Sequence, residues 1–189
     1  MIIKKKRPLK IIAVLLVIIA MLSASGYFLF VTKGKVSYDI FRWNRLQMSL
    51  ECLPSVDDMG DYEDLEFKHY NEKFGVFFES DAYTLKGSYS EEEYEKQKAI
   101  IGEKYLFSER VGVVLNPDDE KEASFTLDSF DFKILSEREY GLYYPQNIVF
   151  VGTSDDKNEI VFIYYSDSDL DYISETFQEF LVDNCGWAQ

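Results

Sequence analysis

The stretch Asn147–Tyr165, NIVFVGTSDDKNEIVFIYY, carries the strongest β signal in the chain. Two apolar runs rich in β-branched and aromatic residues, Ile148–Val151 and Ile160–Tyr165, flank a polar segment centred on Asp155-Asp156-Lys157-Asn158. Such side chains fit a pleated, packed surface, and a short polar break between two of these runs folds them back on each other. The reading is a central hairpin.

Downstream, Leu170, Ile173, Phe177, Phe180 and Leu181 recur at spacings of three, four, three and one, the stripe of an amphipathic helix. Ser166 or Ser168 with the adjacent acids suits its N-terminus, and Gly186 suits a left-handed stop. Phe177 and Leu181 are expected to pack on the hairpin. Upstream, Phe125 and Leu127 share one parity and Phe130, Phe132 and Ile134 the other. Alternation puts each set on one face, so the chain must bulge or break sharply at Asp128-Ser129. Ser136 with Glu139 three residues on predicts a short helical turn closed by Pro145.

Further back, Ser90-Glu91-Glu92-Glu93 is a capping box, opening a helix whose packed side carries Tyr94, Ile101 and Tyr105. Arg110–Leu115 reads as a strand ended by the turn Asn116-Pro117-Asp118-Asp119. Glu63–Tyr70, Phe74–Glu79 and Tyr83–Tyr89 read as three strands, with turns at Asn71–Lys73 and Glu79–Asp81. Connections this short predict an antiparallel meander, because parallel neighbours need a crossover of a dozen or more residues. Ile40, Trp43, Gln47, Leu50 and Leu53 predict a helix from about Tyr38 to Met48, ended before Pro54. The resulting order, α-β-β-β-α-β-β-β-β-α, predicts an α+β domain with an antiparallel sheet and helices packed on one face.

Before this domain lies Ile11–Val31, IIAVLLVIIAMLSASGYFLFV, which has no ionisable side chain. As a helix of about 31 Å it matches a hydrocarbon core of about 30 Å. Lys4, Lys5, Lys6, Arg7 and Lys10 flank one side only, and positive flanks stay in the cytoplasm. Ser23-Ala24-Ser25 offers a signal-peptide cleavage site, but Tyr27–Val31 continues the apolar run past it, as a retained anchor does and a signal peptide does not. The expected organisation is a cytoplasmic tail over 1–10, a single-pass anchor over 11–31, a linker over 32–36 and an extracytoplasmic domain over 37–189. A tail of ten residues is too short to be a relaying domain.

The chain has 20 basic and 34 acidic side chains, a net of −14. Five of the basic ones precede the anchor, which leaves 15 against 34, a net of −19, for the rest. That charge repels phosphate backbones and anionic headgroups, so nucleic acid is excluded as a partner.

Candidate chemistry is sparse. His69 is the only histidine, so a multi-histidine metal site is impossible and a packed strand side chain is the expected role. G-x-S-x-G, H-E-x-x-H, Walker A and G-x-G-x-x-G spacings are all missing. Asp167-Ser168-Asp169-Leu170-Asp171 opens like a calcium loop. However, Tyr172 stands where that loop needs Gly and Gln178 where it needs a bidentate Glu, so no cofactor or metal is expected. Among the 34 acidic side chains, Glu79, ending an apolar strand, and Asp81, beyond the turn, are the pair that best suits glycosidase-type chemistry, since alternation places both on the same side. Cys52 and Cys185, the only cysteines, are expected to form a disulfide in an oxidising compartment, with two buried thiols as the alternative. The function expected is an anchored extracytoplasmic binding or interaction module, an accessory part of a cell-envelope complex with a protein or envelope partner. The alternative is a small surface hydrolase using Glu79 and Asp81.

Overall fold

The computed structural model of the protein describes residues 16–17, 31–74, 78–113, 116–167 and 176–187. In chain order its elements begin with β1 (Val31–Ser37), α1 (Phe41–Gln47), a 3-10 turn (Asp57–Met59), β2 (Asp64–Phe74), β3 (Phe78–Ser88) and α2 (Glu91–Lys104). They continue with β4 (Arg110–Val113), β5 (Asn116–Glu122), β6 (Ser124–Leu127), β7 (Phe130–Ile134), α3 (Glu137–Tyr140), β8 (Asn147–Ser154), β9 (Glu159–Asp167) and α4 (Phe177–Asn184).

The hairpin β8–β9 pairs antiparallel from Asn147↔Ser166 to Ser154↔Glu159, as its sequence predicts. It sits inside a seven-stranded sheet of order β1-β2-β3-β9-β8-β7-β6, in which every pairing is antiparallel, while β4 and β5 form a separate pair. The fold is α+β. β6 and β7 are joined at Asp128 and Ser129, with φ of 51° and 69°, so the predicted break is a two-residue hairpin turn of the kind that needs positive φ at both positions.

Helices lie on both faces of the sheet, not on one. Strand side chains of one parity, Ile148, Phe150, Val161, Ile163 and Tyr165, meet Phe177, Phe180 and Leu181 of α4 together with Val111 and Ala123 at the β4–β5 pair. The other parity, Val149, Val151, Ile160, Phe162 and Tyr164, meets Trp43 of α1, Tyr94 and Ile101 of α2 and the segment Cys52–Met59. A strand covered on both sides is apolar at consecutive positions, and this explains the unbroken runs in β8 and β9.

Other expectations shift. The three-strand meander is instead one long hairpin, β2–β3, paired without interruption from Asp64↔Ser88 to Phe74↔Phe78. The polar residues read as turns face each other across it: Asn71 is opposite Asp81, and Lys73 pairs with Glu79 at 2.5 Å. Cross-strand pairs of opposite charge hold a ladder where the apolar pattern lapses. Asn116–Glu122, read in part as a turn, is strand β5. Residues 32–36, read as a linker, belong to β1, which pairs with β2 from Val31↔Phe74 to Ser37↔His69. α4 begins after Thr176, whose side chain and that of Glu179 form a reciprocal capping box, and Ser166 lies within β9. Gly186 follows the helix at φ 62°, the left-handed conformation expected of it.

The anchor expected over 11–31 falls outside the described residues except for Leu16, Val17 and Val31, and among the described residues no helix is long and apolar enough to cross a membrane.

Candidate functional site

The β2–β3 ribbon presents two clusters of polar groups, one on each face. On the face shared with α1, alternation brings His69, Asn71, Lys73, Glu79, Asp81 and Tyr83 together, as it predicted for Glu79 and Asp81. Asn71 Nδ2 donates to both carboxylates, at 2.9 Å to Glu79 and 2.8 Å to Asp81. His69 is 4% exposed, stacked on Tyr83 with ring centroids 4.3 Å apart. Arg42 Nη1 of α1 lies 3.1 Å from His69 Nδ1, and a guanidinium only donates, so Nδ1 accepts and the proton sits on Nε2. That N–H donates to Asp81 at 2.6 Å. Both ring nitrogens are thereby engaged, the Nδ1 lone pair by Arg42 and the Nε2 proton by Asp81, an arrangement that holds the ring in place and does not present it as a general base.

Burial opposes ionisation of Asp81, but hydrogen bonds from His69 and Asn71 outweigh it and hold the group below the ordinary carboxylate range. A glycosidase needs one carboxyl whose pKa is raised, and Asp81 is shifted the other way. The cluster ties α1 to the ribbon. It is built as a brace.

On the opposite face the side chains of β2 and β3 are only partly covered, and an open groove of about 640 Å³ remains beside the C-terminal hook. Its chemistry comes from Lys68, Lys86, Lys157, Glu66, Glu159 and Asp128, with Thr84 of β3 also lining it. Lys86 Nζ lies 2.9 Å from Glu66 and 3.3 Å from Glu159, and Glu159 also accepts from Ser88 Oγ at 3.1 Å. Burial alone lowers a lysine, yet these two carboxylates raise Lys86 above its ordinary value. Lys68, which donates to Gly186 O at 2.6 Å, is lowered by burial. Lys157 donates to the Asp128 carbonyl at 3.2 Å and lies 5.1 Å from the centre of the Phe130 ring.

Trp187 forms an aromatic wall. Its backbone N–H donates to Leu181 O at 3.0 Å, its indole Nε1 donates to Asp128 Oδ2 at 2.8 Å, and it meets Phe130 and Phe132 edge to face at 5.4 and 5.3 Å. Gly186 makes this hook possible, since a Cβ there would come within 2.8 Å of the Tyr70 ring. In the sequence Gly186 is legible only as a helix stop, and Trp187 belongs to no motif. The one legible signal was a tryptophan directly after a helix-ending glycine.

The bridge expected between Cys52 and Cys185 is not formed: both are free and buried, Cys52 in the core under α1 and Cys185 in the core under α4. The sheet lies between these two cores, and cysteines with Cα atoms more than about 7 Å apart cannot be joined without moving the backbone. Burial raises both thiols, partly offset at Cys52 by a backbone hydrogen bond.

Among the described residues no group of three or more His, Cys, Asp or Glu side chains is arranged to hold a metal ion. Of the loop likened to a calcium site, residues 168–175 fall outside the described residues. No protein-family model, no curated protein and no solved structure matches the chain.

Proposed function

We propose that this protein is a membrane-anchored extracytoplasmic binding module, an accessory part of a cell-envelope assembly, and that it recognises its target in the groove beside Trp187. The observation that carries this reading is the groove itself. Its volume falls in the range of ligand sites, and its charged lining includes a wall aromatic held by two hydrogen bonds. The hydrolase alternative draws less support, because Asp81 is committed to His69 and Asn71 and Glu79 to Lys73 and Asn71.

The anchor over 11–31 rests on its unbroken hydropathy and one-sided basic flank. β1 starts at Val31, where that run ends, and Val31 pairs with Phe74 at the far end of β2. Glu66 lies eight residues along β2 from Phe74, roughly 26 Å at the rise of a strand. In this reading the anchor joins the sheet at the Phe74 end of β2, so the groove stands off from the lipid.

Two measurements on the full chain in cells test this. Protease added to intact, wall-stripped cells should digest the domain, and digestion that requires opening the cells overturns the topology. A photo-crosslinker at Thr84, in the groove, should give an adduct in intact cells that the same group at exposed Tyr143 does not give. Identical adducts from both positions overturn the groove as the recognition surface.

A further inference from the structure

The groove is charge-balanced inside a strongly acidic chain. Three ammonium groups, Lys68, Lys86 and Lys157, face three acids, Glu66, Glu159 and Asp128, while the chain as a whole carries −14. The charges are also held in place. Lys86 bridges Glu66 and Glu159, Lys157 and Lys68 are tied to the backbone at Asp128 and Gly186, and the Asp128 carboxylate holds the Trp187 indole.

A charged ligand entering here would compete with these pairs and lose their mutual attraction. An uncharged ligand with many hydroxyls competes with none of them. An ammonium has three N–H donors and an ionised carboxylate about four acceptor positions, so each pair keeps capacity for a hydroxyl on either side. The half-buried Trp187 and the exposed Tyr38 add aromatic surface to the same lining. Aromatic side chains with a polar tip suit a surface that is apolar at one end and wet at the other. Hydroxyl partners combined with aromatic walls match a sugar ring, which is polar around its rim and presents C–H groups on its faces.

Resting on the groove as the recognition surface, we infer that it takes a neutral saccharide chain, with Trp187 as the stacking wall and the Lys86–Glu66–Glu159 and Asp128 groups as hydroxyl partners. An open groove accommodates internal units of a chain, so an oligomer should bind better than a single sugar.

The test is calorimetric titration of the full chain, kept in solution with a detergent that carries no sugar headgroup. The probes are neutral hexamers of β-linked glucose, β-linked N-acetylglucosamine and β-linked mannose, with a hexaglutamate peptide as the anionic comparison. At least one neutral hexamer should bind saturably and the peptide should not. Tryptophan emission should change in the same titration, because of the two tryptophans only Trp187 borders the groove, Trp43 being fully buried in the opposite core.

Thr84→Arg, which fills the groove from its floor, and Trp187→Ala should each weaken binding by about tenfold or more. Trp187 also packs on the core, so Glu66→Ala, at a hydroxyl partner whose side chain is 63% exposed, serves as the variant that spares the fold, and it should weaken binding too. Saturable binding that all three variants leave unchanged overturns the site. If none of the hexamers binds while the Thr84 crosslinker still gives its specific adduct in cells, the ligand class is wrong and the groove survives. If both fail, the groove is not a recognition surface.

Discussion

Replacing Phe180 by alanine tests the least obvious feature of the fold, a helix of eight residues holding down one face of a seven-stranded sheet. An isolated helix that short is marginal in water, so α4 exists because its apolar side is packed. Phe180 is fully buried, with ring centroids 4.8 Å from Tyr165, 5.8 Å from Tyr144 and 5.9 Å from Phe150. Truncating a buried phenylalanine costs about 3–5 kcal/mol from lost burial and the cavity left behind. Against a domain stability of about 5–15 kcal/mol this is a large fraction. At about 2–4 °C per kcal/mol for a domain of this size, the midpoint of thermal unfolding should fall by roughly 6–20 °C. The assay is circular dichroism on the full chain. Phe41→Ala is the internal comparison, since Phe41 is 71% exposed on α1 and its loss should stay within about 0.5 kcal/mol. A fall of less than about 2 °C for Phe180→Ala would mean that α4 is not docked as described.

Three further outcomes follow from the packing and the ionisable groups. Gly152→Ala should destabilise by about 1–3 kcal/mol in urea titration, because the added methyl meets the Phe132 ring at 2.6 Å and Val161 at 2.8 Å; no change in the midpoint contradicts that contact. Asp81 is held below its ordinary value in the folded state, so its contribution is complete above the unfolded carboxylate pKa of about 4 and is lost as the pH falls through the lower folded value. Unfolding midpoints measured from pH 6 to pH 2 should drop below about pH 4 in the wild type and more gently in Asp81→Asn, and parallel profiles refute the role. Both thiols are buried, with pKa raised, so neither should react with iodoacetamide at pH 8 until denaturant is added, whereupon both should; a mass showing a disulfide, or labelling of the native chain, refutes the two separate cores.

Local signals in the sequence specify local structure. The hairpin at 147–165, the serine caps at Ser90 and Ser136, and the break at Asp128-Ser129 all depend on residues within a few positions of each other, and each appears where it is expected. Even the covering of both faces was written in the unbroken apolar runs of β8 and β9, although reading the helices as one layer missed it. Where the apolar pattern lapsed, at Asn71–Lys73 and Glu79–Asp81, the polar residues suggested turns. Only pairing across the ribbon makes them strand, because each is opposite a complementary partner. The groove lay beyond sequence reasoning for the same reason on a larger scale. Trp187 meets Asp128 from 59 positions away, and Lys68 meets Gly186 from 118. Neither partner carries a local mark of the other. The cysteines show the same division: their number and chemistry were legible, but the sheet that separates them is built by strands from both halves of the chain. Hydrophobic periodicity and capping act within a turn or two of backbone, whereas strand order and the meeting of distant side chains are decided when the sheet closes between its two cores.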